Sequence, residues 1–149
     1  MSVLNQKTIK KSVKFTGIGL HSGKNVEMTL IPAQPNTGIV FKRSDLKNNN
    51  LIYASVFNVS SASYCTKLTN ENGVTVSTVE HLMAALCGLG IDNLLVDLNS
   101  EELPIMDGSA KNFVDKIEET GFDISNQPIR IIKINKKVSY SDGEKYITF

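Results

Sequence analysis

The chain has 149 residues, 41% of them hydrophobic and 21% charged, a globular mix that can bury a real core and suits one domain plus part of another. Its net charge of +1 gives no electrostatic reason for a nucleic-acid partner. Cys65 and Cys87 lie in different segments and suggest neither a CxxC site nor a disulfide framework. With no signal peptide and no apolar run of roughly 18 residues, the expectation is a soluble, cytoplasmic protein in a reducing compartment, without a transmembrane segment.

Ile9 and Val13 among polar neighbours predict a first strand over residues 8–15, with Lys10, Lys11 and Lys14 along a solvated edge. Gly17-Ile18-Gly19-Leu20-His21-Ser22-Gly23 is a glycine-rich turn. It fails the GxGxxG dinucleotide fingerprint, because Ser22 stands where the third glycine belongs and no helix follows. Val26, Met28 and Leu30 alternate with Glu27 and Thr29 as a half-buried strand does. Residues 32–38 break that strand, and Ile39-Val40-Phe41 starts the next. Residues 44–50, which end in successive asparagines, read as an exposed loop. A hairpin is predicted over residues 64–76, with Tyr64, Thr66 and Leu68 on one side and Cys65 and Lys67 on the other; Asn70-Glu71-Asn72-Gly73 makes its turn.

The stretch that follows organises the chain. Ser77 reads as an N-cap with Glu80 three residues on, a capping box, and Gly88 closes the helix. Val79, Leu82, Met83 and Leu86 form one apolar stripe. At about 100° per residue, His81 falls nearly opposite, with Glu80 on its flank and Ala84 and Ala85 offering little bulk on the same side. Leu94–Leu98 is an apolar strand expected at the centre of a sheet, opened by Asp92 and Asn93 bonding local backbone. A second helix is predicted over residues 110–120, capped by Asp107 and Ser109. Ser125-Asn126-Gln127-Pro128 reads as a linker, and residues 129–134, 137–140 and 146–149 as strands. A domain does not normally stop on an unpaired apolar strand. The expected organisation is therefore a domain over 1–124, a linker at 125–128 and the opening strands of a truncated second domain at 129–149.

Glu80 and His81 are the sharpest chemical pair. Neighbours on a helix point about 100° apart, so they cannot pair side by side, but they can converge on one external point. There the histidine would be a metal ligand and the glutamate would act on a water held by the metal, as in zinc hydrolases. The plainer alternative is a capping glutamate beside an ordinary polar histidine. The one other histidine, His21, sits in a turn and suits a structural or supporting role better than metal ligation. Cys65 either lines the same pocket or is a small buried hydrophobe.

Taken in order, Gly17-Ile18-Gly19-Leu20-His21-Ser22-Gly23, Pro35-Asn36-Thr37-Gly38-Ile39, Ser77-Thr78-Val79-Glu80-His81-Leu82, Gly88-Leu89-Gly90-Ile91-Asp92-Asn93 and Pro104-Ile105-Met106-Asp107-Gly108-Ser109-Ala110 closely resemble one family. They match the N-terminal half of UDP-3-O-acyl-N-acetylglucosamine deacetylase, a zinc amidohydrolase of lipid A biosynthesis in Gram-negative bacteria. The resemblance covers essentially the whole chain. It implies an α+β fold of two similar domains, each a two-layer sandwich of a sheet covered by helices, with the zinc site at the seam between them. It makes His81 a Zn2+ ligand, Glu80 the catalytic base, and Cys65, with Tyr64 beside it, part of the substrate-binding surface, while His21 supports the site. The substrate it implies is a UDP-sugar lipid.

The departure is equally plain. The family's other two zinc ligands come from a His-Lys-x-x-Asp stretch, and nothing in this chain matches it or the acyl-binding insert. The resemblance thus implies a fragment inactive, or nearly so, by itself, with an exposed inner face that a second copy could cover as a homodimer. Two other readings stand beside it: a non-catalytic binding or scaffolding module that keeps the first-domain fold, and part of a fused enzyme carrying a dehydratase.

Overall fold

The computed structural model describes residues 4–149. Its centre is a five-stranded sheet. The strands that build it are β2 (Val13–Ile18), β3 (Asn25–Pro32), β4 (Ile39–Arg43), β5 (Leu51–Tyr53) and β9 (Leu94–Leu98), in the order β2-β3-β9-β4-β5. The apolar strand Leu94–Leu98 is central, as its composition required. It runs antiparallel to β3 and parallel to β4. Register lines up one inward row, with Phe15 opposite Met28 and Met28 opposite Leu98, and a second, with Leu30 and Phe41 on either side of Val96. All of these side chains are buried.

Two helices, α1 (Glu80–Leu89) and α2 (Lys111–Thr120), cover that face. Leu82 and Leu86 of α1 and Phe113 and Ile117 of α2 join the sheet residues in one core cluster. The Phe113 ring meets Phe15 at a centroid distance of 5.2 Å in a tilted pair, a geometry aromatic quadrupoles favour. The result is the α+β, helices-on-sheet layering that the sequence suggested. A smaller three-stranded sheet, β6 (Val59–Ser61), β7 (Lys67–Thr69) and β8 (Thr75–Ser77), leads into α1 and buries Leu68 and Val76.

Several boundaries differ from expectation. The first strand is two, β1 (Asn5–Ile9) and β2, with Lys10 and Lys11 exposed at the bend between them. The predicted linker at 125–128 is the second half of β10 (Phe122–Pro128), which pairs antiparallel with β1. Its polar residues other than Ser125 are exposed, so the pairing is carried by main-chain bonds that composition does not reveal. Residues 129–134 form no strand, because no ladder partner adjoins them among the described residues. The remaining strands, β11 (Ser139–Asp142) and β12 (Lys145–Thr148), make a hairpin that pairs with itself, every residue exposed.

Asp92 and Asn93 do not bond local backbone. Asp92 Oδ2 accepts from the Lys7 amide at 2.7 Å, and Asn93 accepts from the Gly38 amide at 3.0 Å and donates to Gln6 Oε1 at 2.9 Å. They stitch β1 and the residue just before β4 to the start of β9.

Candidate active site

The expected capping box is not formed. Ser77 ends β8, and both its amide and its hydroxyl donate to the Glu101 carbonyl, at 2.9 and 3.2 Å. Thr78 then takes a left-handed backbone, φ +58°, and Val79 occupies the N-cap without a side-chain cap bond. Glu80, freed from capping, reaches sideways instead: its Oε2 accepts the Thr66 amide at 3.0 Å. A long-range partner has taken the carboxylate that local spacing assigned to Ser77. The helix also runs past Gly88 to a left-handed Gly90, φ +66°, where the Gly90 and Ile91 amides bond the Cys87 and Leu86 carbonyls. That closure needs a residue without a Cβ penalty, hence glycine at 90 and not at 88.

Around α1, Leu82, Ala85 and Leu86 are buried, whereas Ala84, Cys87 and Gly88 are exposed and Glu80, His81 and Met83 half-buried. Ala85 therefore belongs to the core and not to the side of His81 expected for it. The remainder of the small-residue face stands as anticipated. The side that carries His81 is thus low-relief, with no bulky or charged side chain following along the helix.

Cys65 is a free, half-buried thiol directly before Thr66, so the backbone bond to Glu80 holds it close to the start of α1. Tyr64 is 98% exposed at φ +63°. The hairpin strand begins at Lys67, so residues 64–66 are not in the alternating ladder expected of them. Glu80, His81 and Cys65 are brought to one region by the start of α1 and the chain entering β7. His21 is exposed and lines a separate cleft of about 290 Å³ with Lys67, Ser77 and Glu102.

Glu102 escaped the sequence reading. It is 1% exposed, accepts the His21 and Ser22 amides at 3.0 and 2.8 Å, and accepts the Thr78 hydroxyl at 2.9 Å. Burial pushes its carboxyl up, but the His21 amide and the Ser22 and Thr78 donors outweigh that and hold it below the usual carboxylate range. No periodicity flags a single buried glutamate; its place just before the Pro104-Ile105-Met106-Asp107-Gly108 stretch was the available signal. Asp107 and Ser109 do act together ahead of α2. The Ser109 hydroxyl donates to Asp107 Oδ1 and accepts the Lys111 amide, although Ala110 is the N-cap.

A catalytic zinc takes several protein ligands. Among the described residues no group of three His, Cys, Asp or Glu side chains is placed to hold a metal ion. These residues do not make a complete zinc site; they offer one imidazole with one carboxylate beside it.

The architecture is a helix-covered sheet with a polar pair, Glu80 and His81, at one helix start. Residues 6–149 match the model of the LpxC family, described as UDP-3-O-acyl N-acetylglycosamine deacetylase. A relative of that name, UDP-3-O-acyl-N-acetylglucosamine deacetylase of Pseudoalteromonas atlantica, is 51% identical over 144 residues, 97% of this chain and 47% of its own length. Those of Vibrio parahaemolyticus and Haemophilus influenzae are each 46% identical over 147 residues, 99% of this chain and 48% of their own. The chain belongs to the LpxC deacetylase family, and it spans about half the length of the curated relatives it matches.

Proposed function

We propose that this chain is the first half of a deacetylase that hydrolyses the N-acetyl group of a UDP-3-O-acyl-N-acetylglucosamine in lipid A biosynthesis. The observation that carries the reading is the start of α1 in a member of this family. There a half-buried glutamate, not used as a cap, is oriented by the Thr66 amide next to a half-exposed histidine on a low-relief face. In the relatives' names the substrate is a UDP-linked acylated N-acetylglucosamine, whose acetamide carbonyl is the group to be attacked.

In this reading His81 contributes one ligand to a Zn2+ ion whose remaining ligands come from outside these residues. A bound zinc supplies Lewis acidity at the amide carbonyl. Glu80 is the base. It takes a proton from water as the water oxygen adds to the amide carbon; the carbon–nitrogen bond then breaks, the nitrogen takes up a proton, and acetate leaves. The Thr66 amide fixes one carboxylate oxygen, which orients the other without neutralising the charge. Cys65 and the exposed Tyr64 lie on the substrate side, and His21 supports the site from its turn.

Residues up to the end of β10 form the first domain and residues from 129 onward open the second, a division supported by the self-paired β11–β12 hairpin. Alone, with one ligand, the chain is inactive, and a second copy covers the α1 face as a homodimer. Among the described residues no helix is long and apolar enough to cross a membrane; in this reading catalysis takes place in the cytoplasm.

Joining this chain to the part of the Pseudoalteromonas atlantica relative that it does not cover tests the reading. The hybrid is expected to bind zinc stoichiometrically and release acetate from the acylated sugar nucleotide, and His81→Ala to lose the metal. A folded hybrid that releases no acetate, or one whose zinc content ignores His81→Ala, would favour the scaffolding module instead.

A further inference from the structure

The helix that carries Glu80 and His81 begins without a cap, so something else must fix where it starts. The residue before its N-cap is Thr78, a buried, β-branched residue at φ +58°. Left-handed backbone is unfavourable for such a side chain and persists only where the surroundings over-determine it. Here the one side chain that bonds the Thr78 hydroxyl is a carboxylate. Glu102 Oε1 accepts the Thr78 hydroxyl at 2.9 Å and the His21 amide at 3.0 Å, while Oε2 accepts the Ser22 amide at 2.8 Å. The main chain holds the same junction: residues 77 and 102 form a parallel bridge, with the Leu103 amide on the Ser77 carbonyl at 3.1 Å.

All three hydrogen bonds of this carboxylate go to this junction. Among the described residues it has no cationic partner, since Lys24 pairs with Glu101. Every group it meets is a donor, so the ionised form alone satisfies them all. The turn has been shaped to it: a Cβ on Gly19 would lie 2.5 Å from Glu102 Oε2 and 2.3 Å from Ser22 Oγ. A glutamate buried at this depth and bonded only to backbone amides and a hydroxyl is a fastener.

We propose that Glu102 is a positioning residue. Its buried carboxylate locks Thr78 in the left-handed conformation that launches α1, and through that lock sets where Glu80 and His81 stand. The same carboxylate ties the His21 turn to the start of α1, so the two histidine-bearing segments share one anchor. Only the catalytic consequence rests on the proposed deacetylase reading; the lock itself is a property of this chain.

The reporter is the Thr66 amide, whose bond to Glu80 Oε2 exists only while Glu80 is correctly aimed. Amide hydrogen exchange measured by NMR on this chain needs no enzymatic activity, so failure of the lock and failure of the deacetylase reading are separate results. Thr78→Val keeps the β-branched side chain and its backbone strain and removes only the hydroxyl, so the lock is lost while the side-chain volume is kept. Its Thr66 amide is expected to exchange at least tenfold faster, with the β9 amides unchanged. Thr78→Ser, which keeps the hydroxyl, restores parent protection at Thr66. Glu102→Gln is expected to deprotect His21, Ser22 and Thr66 together. Parent-like Thr66 exchange in Thr78→Val would overturn the proposal, as would Thr66 loss matched by equal loss throughout β9.

Discussion

The two helices make an instructive pair. Both are ten residues long, both have an N-cap without a side-chain bond, and both bury apolar residues against the same sheet. α2 finishes its outer face for water: Lys111 pairs with Asp115 one turn on, and Lys116 and Glu119 follow. α1 does not. Past Glu80 and His81 it carries no charge, and its exposed positions are Ala84, Cys87 and Gly88. A helix whose outer face is small and uncharged, with all its polarity in the first turn, is built to be approached. In the proposed reading α2 holds the fold together and α1 presents chemistry.

The largest stability effect should come from α2. Phe113 is buried against Phe15, and Phe113→Ala is expected to cost about 3–5 kcal/mol, a large share of a typical domain's stability. A urea midpoint within error of the parent would break the assignment of α2 as the structural helix.

Acid should separate the two helix starts. Glu102, at the start of α1, and Asp107, ahead of α2, both have carboxyls held below their usual range, the first against burial by the His21 amide, the second by the Ser109 hydroxyl and amide. A carboxyl lowered in the folded state contributes stability that is fully present above its unfolded value and is lost as pH falls through the folded one. Stability should therefore be level towards neutral pH and decline below about pH 4. Glu102→Gln should flatten that decline, whereas Asp107→Asn, at a fully exposed group, should leave it as it was. Urea midpoints from neutral pH down to acid give the slopes.

Gly90→Ala places a Cβ at φ +66° on the closure of α1 and is expected to cost about 1 kcal/mol, measured by the same denaturation. The smallest effects belong to the outer faces. Lys111→Ala removes an exposed ion pair and should not measurably change stability. Ala84→Lys should likewise leave this chain's stability within about 0.5 kcal/mol, yet reduce acetate release in the hybrid described above. Equal tolerance of both changes in the hybrid would erase the contrast between the helices.

What could be read from sequence alone followed the range of the interactions. Val26, Met28 and Leu30 alternate because one face of β3 meets the core, and the apolar composition of Leu94–Leu98 reflects its central place; both are written locally. Phe113 and Ile117 keep helical spacing for the same reason. The misread features depend on partners far along the chain. Glu80 left its cap for Thr66, β10 exists because β1 lies beside it more than a hundred residues earlier, and Asp92 and Asn93 bond β1 and Gly38 instead of their neighbours. Glu80 and His81 were singled out by motif, but Glu102 and the left-handed Thr78 leave no periodic trace, because what they do is set by three donors converging in space.

The most direct measurement is the turnover of the hybrid carrying Glu80→Ala, with its zinc content determined on the same sample. If Glu80 is the base at the start of α1, zinc should remain stoichiometric and kcat should fall by about 10²- to 10⁴-fold, with thermal stability close to the parent's. Parent-like turnover with zinc in place would contradict the assignment.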